Sequence, residues 1–292
     1  MKSEIKKIWI FEGKSGKTFP EEKKFLTEHL KNFFEIVDKP SKSVSLAISL
    51  AGDGSLLSMI RNLGDLRHEI PMLGIHTSSG LGFLHRLAFP KDKKNHKKWV
   101  LDLAKCLKNG KYSIQKRWGV EASVGRHQKC WGMNDLVMSK GALSRMVSLR
   151  LEINGSLLFS KIRGDGLIIA SPTGSTAYSL AAGGPIVLPG LEGILVTPIL
   201  PHQVAQRPLV LSSDSQLKVE ILEGPPCFLT EDGQRTTEMK VGQSLMIARS
   251  QKPVLWLDPG LDGARDYFEL LRTKLGLGGH ERGLKNVDDN KS

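Results

Sequence analysis

The 292-residue chain is predicted to join an N-terminal α/β domain, a parallel sheet covered by helices, to a mostly β, sandwich-like domain. Three observations carry this expectation. Over the first third, short β-rich runs alternate with helical patterns, the order of a parallel sheet with crossover helices. From about residue 111 the apolar spacing turns to period two, with turn residues between short runs. A single helical pattern then returns near the end.

In the first part, Lys7–Glu12 (KIWIFE) reads as a strand. Phe19–Val37 reads as a helix opened by Pro20 and Glu21, with Phe25, Leu26, His29, Leu30, Phe33 and Phe34 on one face. The short apolar run Ser45–Leu50 reads as a buried strand, Ser55–Leu63 as a helix stopped by Gly64, and Pro71–Ile75 as another strand. The period-two runs that follow are Val120–Val124, Asp135–Ser139, Val147–Ile153, Gly166–Ala170, Pro208–Leu211, Leu217–Leu222 and Ser244–Ala248. Asp266–Leu275 reads as a helix, and the polar tail Gly278–Ser292 as frayed. Boundaries are expected at 1–110 for the α/β domain and 111–252 for the β-rich one.

Composition supports a globular chain: 40% hydrophobic and 25% charged residues exclude disorder and collagen-like repeats. No apolar run approaches the roughly 18 to 20 residues that cross a bilayer, and the apolar stretch in MKSEIKKIWIFEGK is too short for a secretory signal. A cytoplasmic protein without a membrane partner is expected. Cys106, Cys130 and Cys227 form no C-x-x-C pair, so they are read as plain small side chains rather than a disulfide or zinc set.

The net charge of +12 is unevenly placed. Residues 1–129 hold 25 Lys and Arg against 13 Asp and Glu, while 130–250 and 251–292 are each balanced. Arg86–Lys129 alone carries 13 basic and 3 acidic residues, among them Lys91, Lys93, Lys94, Lys97 and Lys98. This stretch is read as a solvated helix face, with attraction of polyanionic small substrates or of nucleic acid as alternatives. No aromatic-interleaved RNA motif accompanies it, which weighs against nucleic acid.

Several segments carry chemistry. Gly52-Asp53-Gly54-Ser55 lies where a strand hands over to a helix, so its amides can approach phosphates without an intervening Cβ. Asp53 is out of place beside phosphates unless it holds a cation or accepts a proton; the plain alternative is a helix cap. Gly13-Lys-Ser-Gly-Lys-Thr18 imitates a Walker loop, but Phe11 stands where the first glycine belongs and Pro20 interrupts the helix start. Gly80-x-Gly82 similarly lacks the third glycine of a dinucleotide fingerprint, since position 85 is His85. In Gly164–Pro185 a strand leads into Pro172-Thr-Gly-Ser-Thr-Ala-Tyr178, whose hydroxyls and amides suit a nucleoside edge or an anion, the plain alternative being a tight connection between packed elements. Asn134-Asp135 opens a strand with a carboxylate able to accept from both hydroxyls of a ribose, or is simply a turn.

Taken in order, these segments resemble the NAD kinase family. The resemblance rests on Ala51-Gly52-Asp53-Gly54-Ser55, on Gly74-Ile75-His76 through Leu81-Gly82-Phe83-Leu84, and on Asn134-Asp135. It continues through Arg163–Ile168, Pro172–Tyr178, Ala182–Ile186, Thr197–His202 with Arg207-Pro208, and Asp232-Gly233-Gln234, spanning roughly residues 45–260. Three positions depart: Ala51 for the first glycine, expected to be tolerated; His76 for the usual Asn, with a longer loop after it; and Asp135 for the commoner Glu.

The resemblance implies a NAD kinase/diacylglycerol kinase-like fold with a Rossmann-like first domain, to which about 253–292 returns. It implies transfer of the γ-phosphoryl of ATP to the 2′-hydroxyl of the adenosine ribose of NAD, giving NADP, with Asp53 as the proton acceptor. Gly52, Gly54 and Ser55 would face ATP. NAD would be held by Asp53, Gly54, Asn134, Asp135, Arg145, Arg163, Asp165, Thr173, Ser175, Thr176, Ala177, Tyr178, Ser179, Leu180, Ala181 and Gln234. A divalent metal ion, Mg²⁺ or Mn²⁺, would neutralise the phosphates without protein ligands of its own, and the chain would form a homodimer or homotetramer. His202 is divided between a ligand contact and a scaffold role. A lipid kinase of the diacylglycerol or sphingosine type shares the GDG loop, but its lipid tail would want an apolar cleft. A dinucleotide sensor or a basic RNA-binding module would leave Asp53 without a task.

Overall fold

A computed structural model describes residues 4–13, 19–77, 82–125, 128–141, 145–261 and 266–276. The Walker-like loop beyond Gly13, most of the lengthened loop after His76, and the tail from 277 onward lie outside the described residues. The chain divides into two compact units, one within 1–64, 72–113 and 257–292, the other within 65–71 and 114–256.

The first unit opens with β1 (Lys7–Glu12), α1 (Pro20–Leu30), β2 (Glu35–Val37), β3 (Leu46–Leu50), α2 (Asp53–Asn62), β4 (Met72–His76), β5 (Leu87–Ala88) and α3 (His96–Lys108). β2, β1, β3 and β4 pair in parallel in that order. All residues of β3 and β4 are buried, as their unbroken apolar runs require in a sheet covered on both faces. α1 ends at Leu30 rather than running on to Val37. The β-branched pair Ile36-Val37 instead extends the sheet edge against Ile8 and Trp9, a gain that the helical spacing of Phe33 and Phe34 conceals. α3 buries Val100, Leu103, Ala104 and Leu107 and leaves Lys97, Lys98, Lys105 and Lys108 exposed. The basic stretch is therefore a solvated helix face here.

β6 (Tyr112–Arg117) begins in the first unit, and the second unit contains β7 (Val120–Val124), β8 (Gln128–Gly132), β9 (Asp135–Lys140), β10 (Val147–Ile153), β11 (Ser156–Gly164) and β12 (Gly166–Ala170). A 3-10 turn over Thr173–Thr176 and the one-turn α4 (Tyr178–Ala181) follow. Then come β13 (Ile194–Ile199), β14 (Leu209–Leu211), β15 (Leu217–Glu223), β16 (Cys227–Glu231), β17 (Arg235–Met239) and β18 (Ser244–Arg249). Two six-stranded antiparallel sheets result, β11-β10-β15-β18-β7-β8 and β14-β13-β12-β9-β16-β17. One core unites their inner faces: Leu149, Leu151, Val219 and Leu245 from the first meet Leu136, Met138, Leu167 and Leu229 from the second. This is the sandwich that the alternation predicts.

The chain closes with β19 (Val254–Pro259) and α5 (Tyr267–Leu275). The sheet of the first unit runs β2-β1-β3-β4-β19-β6, with β5 beside β4. Asp266 caps α5 by accepting from the Phe268 amide at 3.1 Å. All three cysteines are free and buried. Among the described residues no helix is long and apolar enough to cross a membrane.

Candidate functional site

In the first unit the site is built at the junction of β3 and α2. Gly52 is the extended N-cap residue and Asp53 the first residue of α2, two positions earlier than the apolar spacing indicates. The Asp53 carboxylate is held by the segment that precedes β5. Phe83 N–H donates to Oδ2 at 2.7 Å, Leu84 N–H donates to Oδ1 at 3.1 Å, and His85 Nδ1 lies 2.9 Å from Oδ1. Gly82 admits this clasp, since a Cβ there would collide with Asp53 Oδ1. Burial raises the proton affinity of Asp53, but the His85 hydrogen bond and charge and the two amides outweigh it, leaving its pKa below the ordinary carboxylate value. Asp53 is thus ionised at neutral pH. From α5, Lys274 Nζ sits 4.2 Å from the centroid of the Phe83 ring, on the residue whose amide holds Oδ2.

Ser55, expected at ATP, is turned into the fold. Its hydroxyl donates to Leu50 O at 3.1 Å beneath Gly13, so its hydrogen is not offered to a phosphate. Gly52 and Gly54 stand at the start of α2, where a Cβ would meet nothing within 4 Å.

In the second unit, Asp232 organises the loop before β9. Its Oδ1 accepts from the amides of Asn134 at 2.7 Å and Asp135 at 3.2 Å, and its Oδ2 from Met133 at 2.9 Å. Asp232 and Gly233 both have positive φ, +48° and +65°, and make the tight turn between β16 and β17. The PTGSTAY segment locks onto the same loop: Ser171 Oγ donates to Met133 O at 2.7 Å, and Gly174 lies so close to the Asn134 carbonyl that a Cβ would clash. Beside them opens a cavity of about 380 Å³ lined by Asn134, Asp135, Val137, Ser139, Ala177, Tyr178, Thr230, Asp232 and Gly233. Asn134 Oδ1 is buried and has no hydrogen-bond partner among the described residues. Burial, and then the charge of Asp232, raise the Asp135 pKa to about 7.

The structure therefore gathers Asn134, Asp135, Ala177 and Tyr178 around one cavity. Ser175 and Ser179, expected at NAD, direct their hydroxyls elsewhere: Ser175 Oγ donates to Val187 O at 2.9 Å, and Ser179 Oγ pairs with Thr197 Oγ1 at 2.8 Å. Both latch the turn to its surroundings, because a buried hydroxyl needs a partner. Thr173 is buried and Thr176 and Leu180 are half-buried; Ala181 is exposed on the last residue of α4. Arg145, Arg163 and Gln234 are exposed and do not line the cavity, and Asp165 pairs with Lys140 Nζ at 2.9 Å. His202 is exposed, and its amide donates to Arg163 O at 2.8 Å. The sequence alone assigns no role to His85, seen only as a break in a glycine pattern, nor to Asp232, named only within Asp232-Gly233-Gln234, although its Asp-Gly turn signal is there.

Comparison with known proteins agrees with this architecture. Residues 133–258 match the ATP-NAD kinase C-terminal domain. The chain is 38% identical over 240 residues to an NAD kinase of Syntrophotalea carbinolica, covering 80% of this chain and 79% of that one. It is 37% identical over 246 residues to an NAD kinase of Geotalea daltonii, covering 82% and 81%. The fold is that of yeast NADH kinase complexed with NADH, with a TM-score of 0.78 and 22% identity over 97% of this chain and 91% of that one. It is also that of an Archaeoglobus fulgidus NAD kinase in complex with ATP, at 0.71 and 24% over 92% and 99%. On the identity and coverage of these relatives, the chain belongs to the NAD kinase family and is a kinase.

Proposed function

We propose that the chain transfers the γ-phosphoryl group of ATP to the 2′-hydroxyl of the adenosine ribose of NAD, giving NADP and ADP, with Asp53 as general base. The observation that carries this reading is the ionised Asp53 carboxylate at the glycine-flanked start of α2. The sugar oxygen forms the new bond to the γ-phosphorus, the bond to the bridging β-phosphate oxygen breaks, and the hydroxyl proton passes to Asp53. A base of low proton affinity suits a loose transition state, in which charge builds on the phosphoryl oxygens more than on the nucleophile. Gly52 and Gly54 put no side chain between the start of α2 and phosphate oxygens. Asn134, whose side-chain carbonyl has no partner among the described residues, and Asp135 would take the ribose hydroxyls, and Tyr178 would stack on a ring of the dinucleotide. The exposed Arg145, Arg163 and Gln234 and the Asp165 carboxylate would serve the outer parts of the same ligand.

Among the described residues no group of three or more His, Cys, Asp or Glu is placed to hold a metal ion. Mg²⁺ or Mn²⁺ would enter on ATP, as part of the substrate, and neutralise its phosphates. The reading extends to a cytoplasmic homodimer or homotetramer. The exposed Leu157, Leu158, Leu200, Val204 and Val210 of the β-rich unit supply apolar surface for such association. The test of the reaction is to incubate the pure protein with ATP, Mg²⁺ and NAD and to follow NADP with a strictly NADP-dependent dehydrogenase. Appearance of NADP supports the reading, and ATP turnover without NADP contradicts it.

A further inference from the structure

We propose that His85 is a positioning residue for this reaction: its Nδ1–H, with the Leu84 amide, fills Oδ1 of Asp53 and so reserves Oδ2 for the sugar hydroxyl. The proposal rests on the reading of Asp53 as the base. A carboxylate oxygen offers two lone pairs to donors. Oδ1 has Leu84 N–H at 3.1 Å and His85 Nδ1 at 2.9 Å, so it is saturated. Among the described residues, Oδ2 has only Phe83 N–H, at 2.7 Å. One lone pair on one oxygen remains, and the three donors fix its direction.

The imidazole is built to stay where it is. Its side chain is wholly buried, whereas that of Asp53 keeps 30% of its surface open. The ring lies against Gly74 of β4, where a Cβ would stand 2.6 Å from Cδ2, and against Gly82 on its other side. Its Nε2 is buried with no hydrogen-bond partner among the described residues, so the hydrogen bond through Nδ1 is the one that orients the ring. Against an ionised carboxylate Nδ1 must be the donor. The other titratable groups around the clasp are His76 of β4, its ring 5.8 Å from that of His85, and Lys274 of α5, over Phe83.

The roles separate in a variant series assayed with NAD, ATP and Mg²⁺ across pH. His85→Asn keeps an N–H near the Nδ1 position, His85→Gln moves it to the Nε2 position, and His85→Leu removes it. The expected result is that His85→Asn retains kcat within about threefold, while His85→Leu and His85→Gln lose about ten- to a hundredfold in kcat. KM for both substrates should stay within about twofold, because no substrate contact is removed. The acid limb of kcat should move to higher pH in His85→Leu, since a carboxylate that loses a donor binds its proton more tightly. Parental kcat and acid limb in a folded His85→Leu overturn the proposal, as do equal losses in His85→Asn and His85→Gln. If His85→Leu does not fold, the comparison of the Asn and Gln variants decides. Asp53→Asn, run beside them, keeps the two readings apart: its inactivity with parental His85→Leu leaves the base standing and removes only the role of His85.

Discussion

Asp135 and Asp232 place two carboxyls in one buried corner of the β-rich unit, and the amides of the loop before β9 donate to Asp232. Three amides satisfy Asp232, whereas burial and its neighbour's charge raise the Asp135 pKa to about 7. The sign of the consequence follows from linkage. The folded state keeps the Asp135 proton over a range where the unfolded chain, with a value near 3.8, has lost it. This contribution is full below the unfolded value and is lost as pH rises through about 7. Asp135→Asn, which is neutral at every pH, should therefore be more stable than the parent at pH 8 and should flatten the slope between about pH 4 and 7. Urea unfolding of both proteins across that range checks this.

Removing Asp232 should do the opposite of removing Asp135. Asp232→Ala strands the Met133, Asn134 and Asp135 amides, each a buried donor worth about 1 kcal/mol or more when unpaired. A loss of about 3 kcal/mol or more in urea unfolding is expected, together with a raised KM for NAD and little change for ATP. A stable variant with parental KM for NAD would mean that the loop before β9 holds its shape without this carboxylate.

Ala51 has φ of +120°, a region that L side chains enter only under strain. The sequence leads one to expect that Ala51 is tolerated in place of glycine, yet the replacement carries a cost in the backbone. Strain of about 1–3 kcal/mol, offset by about 0.4–1 kcal/mol of extra freedom in the unfolded chain, leaves Ala51→Gly about 1 kcal/mol more stable. Denaturant titration reads the shift directly, and a lower midpoint would show that the backbone there carries no strain.

Much of this was legible in the residues, and what escaped has physical causes. β3 and the strand-to-helix handover at Gly52-Asp53 announce themselves through a short apolar run and a glycine pair. β13 (ILVTPI) is buried on both faces and shows no alternation, while β11 carries Leu157 and Leu158 outward, so period two misses both. Side-chain direction was the harder matter. Ser55, Ser175 and Ser179 have the hydroxyls that a nucleotide site uses, but each is spent on the scaffold, which spacing along a chain does not reveal. His85 lies 32 residues from Asp53, and only the sheet brings them together.

The base itself is tested most directly by Asp53→Asn. The amide keeps the shape of the side chain and an oxygen for the Phe83 or Leu84 amide, but it cannot hold the sugar proton. A positioned base typically contributes about 10²- to 10⁴-fold, so NADP formation should fall by that factor while the protein stays folded, with a cost of about 1 kcal/mol for the amide left facing the new NH₂, and calorimetric NAD affinity stays close to the parent. A folded Asp53→Asn protein that makes NADP at the parental rate would contradict the assignment.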